Sequence, residues 1–136
     1  MDILLIEEKT SSLSLIHKLK DNKAKVNVEV VISLKESVEK LGSKKFDVII
    51  VDLNINHSQG INNISNLLQG TKELPIILCA ENEEQMRKLK TLDLGIQDII
   101  CKRLVRSENI LDRIRFVVET YNKSKTDGFM FQRNLF

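Results

Sequence analysis

Apolar residues along this chain follow two alternating rhythms. Five short apolar or alternating runs, at residues 3–6, 26–32, 48–51, 76–78 and 99–100, are each too short to form a helix. Between them, apolar residues recur at helical spacing. The groups are Leu13, Ile16 and Leu19; Leu34, Val38 and Leu41; Ile61, Ile64, Leu67 and Leu68; and Met86, Leu89 and Leu92. The last helical segment has the clearest pattern. Ile110, Leu111, Ile114, Val117, Val118 and Tyr121 form one wide apolar stripe, with Asp112, Arg113, Arg115 and Glu119 on the opposite side. Strict alternation of strand and helix predicts an α/β fold: βαβ units building a parallel sheet with helices on both faces.

Strand composition orders the sheet. A central parallel strand is covered on both faces and reads as unbroken apolar sequence, as the runs at 3–6, 48–51 and 76–78 do. The run that opens Val26, Asn27, Val28, Glu29, Val30 alternates, and the fifth strand begins with Gln97 and Asp98. Strands two and five are therefore expected at the edges. With right-handed crossovers the order becomes 2-1-3-4-5, a five-stranded doubly wound sheet of flavodoxin-like topology. Ligands of such sheets bind beyond the carboxyl ends of the strands, near the switch point between strands one and three.

Composition narrows the picture. The chain has 136 residues, 42% hydrophobic and 29% charged, with five glycines and one proline, a profile that fits one compact domain. A formal net charge of +2 supplies no field for nonspecific nucleic-acid binding or for an anionic membrane surface. Two cysteines, an opening MDILLIEE without a basic leader and the lack of any apolar run near 18 residues argue for a cytoplasmic protein without a disulfide framework. The lysines at 18, 20, 23 and 25 and the Lys44–Lys45 pair read as solvated faces.

The switch-point rule gathers the chemistry. Glu7 and Glu8 end strand one, Asp52 ends strand three, Cys79 stands at the end of strand four and Lys102 follows strand five. Carboxylates brought together raise one another's pKa unless a cation neutralises them. Oxygen donors dominate, and His17 and His57 lie too far apart for a zinc site, so Mg²⁺ is the expected cofactor.

The segments ILLIEE, FDVIIVDLNINHSQGI, LPIILCA and GIQDIICKR resemble the receiver domain of two-component response regulators, over residues 1 to about 121. Asp52, Gly60 and Lys102 fall on positions of that family's pattern. The resemblance implies that Asp52 accepts a phosphoryl group from a sensor histidine kinase, and that Mg²⁺ is held by Glu7, Glu8, Asp52 and the main-chain carbonyl of Asn54. It further implies that Lys102 binds a phosphoryl oxygen, and that Cys79 and Ile99 occupy the two switch positions, Cys79 also contacting the phosphoryl group. The expected protein is a signalling module rather than an enzyme. The sequence departs from the pattern at Glu8, Cys79, Ile99 and Arg103, where the family has Asp, Thr or Ser, an aromatic residue and Pro. Those departures support an alternative, a phosphorylation-independent pseudo-receiver acting in protein interaction or dimerisation.

Blander readings exist for each residue. Glu7 and Glu8 suit a helix N-terminus, where the dipole favours acids. Asp52 suits a turn, although an Asp ending an apolar central strand is better explained by a site. Cys79 and Cys101 read as small buried apolar residues, placed on opposite parities that disfavour a disulfide, and His57 reads as a surface residue. A distant resemblance of the acid after strand one and the Asp52, Asn54 pair to Toprim phosphoryl-transfer domains is weakened by Asn54 and by Lys102. A flavin-binding flavodoxin is disfavoured by the acidic loop EEKTSS, where an FMN phosphate needs a cradle of amides.

The chain divides into a domain over residues 1–122 and a linker or tail over 123–136. That tail ends in FMFQRNLF, with three of the five phenylalanines in the last eight positions. It fits a fold-back segment, a homodimer contact or, slightly ahead of these, the start of a downstream output domain.

Overall fold

The computed structural model describes residues 1–7, 15–20, 26–52, 65–66, 69–71, 73–92 and 95–126. Five strands form one sheet: β1 (Asp2–Glu7), β2 (Asn27–Val31), β3 (Val48–Asp52), β4 (Ile76–Ala80) and β5 (Asp98–Cys101). All pair in parallel, in the order β2-β1-β3-β4-β5. This is the expected doubly wound sheet. Both β3 and β4 are buried along their whole length, whereas β2 is half exposed, so the contrast between unbroken and alternating runs did separate centre from edge.

Four helices complete the described fold: α1 (Leu15–Lys20), α2 (Leu34–Ser43), α3 (Glu83–Thr91) and α4 (Ser107–Thr126). Alternate strand residues feed two separate cores. Ile3, Leu5, Ile50, Ile77 and Ile100 pack beneath α1 and α4, while Leu4, Ile6, Val51, Leu78 and Ile99 pack beneath α2 and α3. Period-two alternation through a two-sided sheet produces this division. Each core removes well over ten apolar side chains or partial side chains from water, the main force holding helices to the sheet.

Several helical expectations are refined. In α1 the buried residues are Leu15 and Leu19, with Ile16 only partly covered; Leu13 lies outside the described residues. In α2, Val38 is 64% exposed and Ser37 is buried in its place. Leu34 and Leu41 settle against the core on Ser37's side of the helix, and Ser37 is accommodated because its hydroxyl donates to the Leu34 carbonyl at 2.5 Å. The helix expected over residues 61–68 falls mostly outside the described residues, of which Ser65, Asn66, Gln69 and Gly70 are helical. All six residues of the α4 stripe are buried, and α4 continues through Thr126, five residues beyond Tyr121. Of the tail, residues 127–136 lie outside the description. Among the described residues no helix is long and apolar enough to cross a membrane.

Candidate functional site

The carboxyl ends of the three central strands and β5 converge on one crevice. Parallel pairing of β1 with β3 sets Glu7 directly beside Asp52, the last residue of each strand. Partners in a parallel ladder project to the same face on strands roughly 4.8 Å apart, and the negative charge of Glu7 is felt at Asp52. Asp52 is 7% exposed, and Lys102, the first residue after β5, is fully buried.

Lys102 is held at its main chain and at its side chain. Its N–H donates to the Ala80 carbonyl at 2.8 Å, carrying the β4–β5 ladder one step past Cys101. Its ammonium then crosses the end of β4 to donate to Asp52 Oδ2 at 2.9 Å and to pair with Glu81 Oε1 at 2.7 Å. Burial pushes the Asp52 carboxyl above the usual carboxylate range, opposed by the hydrogen bond and charge of Lys102 and reinforced by the negative charges of Glu7 and Glu81. Burial acts on Lys102 in the opposite sense, disfavouring its charge. The hydrogen bonds it donates to Glu81 and Asp52, with their negative charges, outweigh this and leave its pKa raised. Among the described residues the crevice thus gathers the carboxylates of Glu7, Asp52 and Glu81 around the Lys102 ammonium.

Sequence reasoning did not find Glu81. Two hydrogen bonds place it: the Gln85 side chain accepts from the Glu81 N–H at 2.7 Å, and Asn82 caps α3 by accepting from the Gln85 N–H at 2.9 Å. The available signal was an acid two residues after Cys79, at the carboxyl end of a central strand. The reading of Lys18 as a solvated residue is overturned. It is partly buried, and its ammonium donates to the carbonyls of Lys102 at 2.7 Å and Val105 at 2.8 Å. Carbonyls turned outward at a strand end offer a long cation more than water does.

Cys79 and Ile99 both lie beneath this end of the sheet. Cys79 is buried and free, beside Ile77 and Ile100 in the core under α1 and α4. Burial, followed by the charge of Asp52, pushes its thiol well above the usual range, so it stays protonated and can offer only a weak S–H donor. Ile99 packs on the other face, among the residues beneath α3. Cys101 is likewise buried and free, in register with Ala80 rather than Cys79, so the two thiols project to opposite faces. Arg113, on the polar side of α4, is more than a solvated residue. It makes a two-pronged pair with Asp98 at 2.7 and 2.9 Å and donates to the Ile99 carbonyl at 2.7 Å, tying α4 to edge strand β5.

Glu8, Asn54, His57 and Gly60 lie outside the described residues. Among the described residues no cluster of three or more metal-ligating side chains occurs. The described half of the expected Mg²⁺ set nevertheless fits a hard cation. Glu7 Oε1 is buried with no hydrogen-bond partner among the described residues, and it belongs to the carboxylate beside Asp52. A buried carboxylate oxygen is rarely left unpaired, and Mg²⁺ characteristically takes one or two carboxylates with waters completing its octahedron. A separate cavity of about 650 Å³, lined by Leu41, Lys45, Phe46, Thr71 and Leu74, opens at the other end of the sheet, where β3 and β4 begin.

Residues 3–115 match the family model of the response regulator receiver domain. Solved structures with the same fold include the receiver domain of a Francisella response regulator, with 18% identity, a TM-score of 0.65, and coverage of 88% of this chain and 97% of that one. A receiver domain protein from Methanospirillum hungatei shares 18% identity at a TM-score of 0.67, covering 90% and 97% of the two chains. A two-component response regulator from Clostridium difficile shares 19% identity at a TM-score of 0.66, covering 88% and 96%.

Proposed function

Since this chain belongs to the response regulator receiver family, we propose that it is a phosphoacceptor module in which Asp52 takes a phosphoryl group from a sensor histidine kinase. The observation that carries this reading is the buried Asp52–Lys102 pair at the end of β3, with Glu7 alongside. Lys102 occupies Oδ2, and among the described residues nothing bonds Oδ1, the oxygen for attack. In the transfer, an O–P bond forms from Asp52 as the N–P bond of a phosphohistidine breaks. The imidazole keeps the electron pair and takes a proton from solvent.

The chain's own residues position the reactants and balance charge, which is most of what phosphoryl transfer needs from a protein. The end of β3 fixes the nucleophile, and Asp52 and Lys102 are both buried there. Lys102 stands where a point charge can engage a phosphoryl oxygen once Asp52 is modified. Glu7, Glu8, Asp52 and the main-chain carbonyl of Asn54 would hold Mg²⁺, which when bound neutralises charge on the phosphoryl oxygens. In this reading the protein is a substrate and switch in the cytoplasm rather than an enzyme with its own turnover. Its partners are the kinase and either an output domain or a second copy.

Intact-mass spectrometry after incubation with a small-molecule phosphodonor tests the reading. A single adduct that needs Mg²⁺ and disappears in Asp52→Ala is the expected result. An adduct retained in that variant overturns the assignment of Asp52. No adduct with either a phosphodonor or a histidine kinase, together with binding to a partner, would make the chain an interaction module independent of phosphorylation.

A further inference from the structure

Lys102 does its work through its side chain, but its main chain is held by a residue from another part of the fold. The turn after β5 is closed by the N–H groups of Leu104 and Val105, which donate to the Cys101 carbonyl at 3.2 and 3.0 Å. This geometry occupies the Cys101 carbonyl and turns those of Lys102 and Val105 toward α1. There the Lys18 ammonium meets both, at 2.7 and 2.8 Å. The two acceptors are 84 and 87 residues from Lys18 along the chain, so this contact joins two elements far apart in sequence.

We propose that Lys18 is a positioning residue for the phosphoryl-transfer site, fixing the main chain of Lys102 so that its ammonium meets Asp52. The inference rests on the phosphoacceptor reading only for its kinetic consequence. Its structural content is independent of phosphorylation.

The physical reasoning concerns freedom. A lysine side chain has four rotatable bonds, and confining its ammonium to one place requires a fixed main chain as well as partners at its tip. On one side of Lys102 the ladder bond to Ala80 supplies this. On the other side the peptide after Lys102 leads into Arg103 and Leu104, both exposed, and the chain meets the core again only at the partly buried Val105. The turn's own bonds to the Cys101 carbonyl leave the Lys102 carbonyl itself to Lys18, whose charge-assisted bonds tie it to α1, and bonds of this kind are shorter and stronger than neutral ones. Lys18 is itself placed by its neighbours, because Leu15 and Leu19 anchor α1 in the core. A shift of about 1 Å in a positioned group can cost up to about a hundredfold in rate, so loosening one end of this turn is expected to cost roughly tenfold.

The experiment compares wild type, Lys18→Met and Lys18→Arg, each checked for fold by circular dichroism. The primary readout is the nitrogen-15 resonance of the Lys102 ammonium, identified by its loss in Lys102→Arg. In Lys18→Met this resonance is expected to shift and its protons to exchange faster with water, with Lys18→Arg, whose guanidinium can reach two carbonyls, restoring both. The second readout is the rate of adduct formation at saturating phosphodonor, expected to fall about tenfold in Lys18→Met and to return to within about threefold in Lys18→Arg. An unchanged Lys102 resonance in a folded Lys18→Met protein overturns the proposal, whatever the kinetics. If wild type forms no adduct with either a phosphodonor or a histidine kinase, the phosphoacceptor reading fails and the resonance alone decides the role of Lys18.

Discussion

Glu7 and Asp52 end neighbouring parallel strands in exact register, so that two carboxylates share one edge of a buried crevice. Lys102 engages Asp52 but, among the described residues, Glu7 Oε1 is left unpartnered. A buried carboxylate oxygen in this position, beside a second carboxylate, suits a hard cation as ligand.

Mg²⁺ is therefore expected to stabilise the protein against heat. At free Mg²⁺ about tenfold above its dissociation constant, the gain is about 1.4 kcal/mol, or a rise in Tm of roughly 5 °C. Glu7→Gln is expected to remove most of that rise while leaving the metal-free protein no less stable. Thermal unfolding followed by circular dichroism, with and without Mg²⁺, reads both effects. An equal Mg²⁺ response in the variant would exclude Glu7 as a ligand.

Removing the charge of Asp52 is expected to leave the fold intact. Because burial raises its pKa in the fold, the ionised form costs stability. The cost is fully present above the folded pKa and disappears as pH falls below the ordinary carboxylate range. Asp52→Asn, which keeps an acceptor for Lys102, should thus match or exceed the wild-type Tm at pH 7 in the absence of Mg²⁺. Its advantage should fade in acid. Urea unfolding at a series of pH values checks the sign.

Lys102→Met is expected to act the other way. It removes the buried ammonium from between Asp52 and Glu81, and loss of one partner of a buried pair costs about 3 kcal/mol. Without the lysine, Asp52 takes up a proton at still higher pH, so the deficit should shrink as pH falls. A deficit independent of pH would mean that the loss is one of packing alone.

The sequence resemblance aligns Cys79 with a hydroxyl-bearing position, and its thiol is held protonated by burial and by the charge of Asp52. In Cys79→Thr, a stronger donor stands beside the modified Asp52. Amide chemical-shift changes between the free and phosphorylated forms are expected to be larger and to extend further than in wild type. Changes no larger than in wild type would show that the thiol does not limit the response.

Most of the fold was legible because its signal is periodic. The unbroken runs ending at Ile6, Val51 and Leu78 mark strands covered on both faces, and the stripe from Ile110 to Tyr121 marks one face of α4. Once strand order follows, the meeting of Glu7, Asp52 and Lys102 follows with it, because strand ends are brought together by topology rather than by local sequence. What escaped depends on side-chain reach. Lys18 is one lysine among several in its segment, and nothing in its spacing says that two carbonyls wait within 2.8 Å. Glu81 depends on the Gln85 bond at the start of α3. The length of α4 is a separate matter. The residues from Asn122 to Thr126 are polar and suggest a linker, yet none is a Gly or Pro, and the first helix-stopping residue is Gly128. Polarity describes the exposed side of a helix as well as it describes a loop.

The central claim is that Asp52 carries the phosphoryl group, and reductive trapping of the acyl phosphate locates it at residue level. Borohydride reduces an aspartyl phosphate to homoserine, releasing phosphate, and peptide mass spectrometry then reads the modified position. Homoserine at position 52, dependent on prior exposure to phosphodonor and Mg²⁺, is the predicted result. A reduced carboxylate at another residue, or no homoserine in protein that carries an adduct by intact mass, would contradict it.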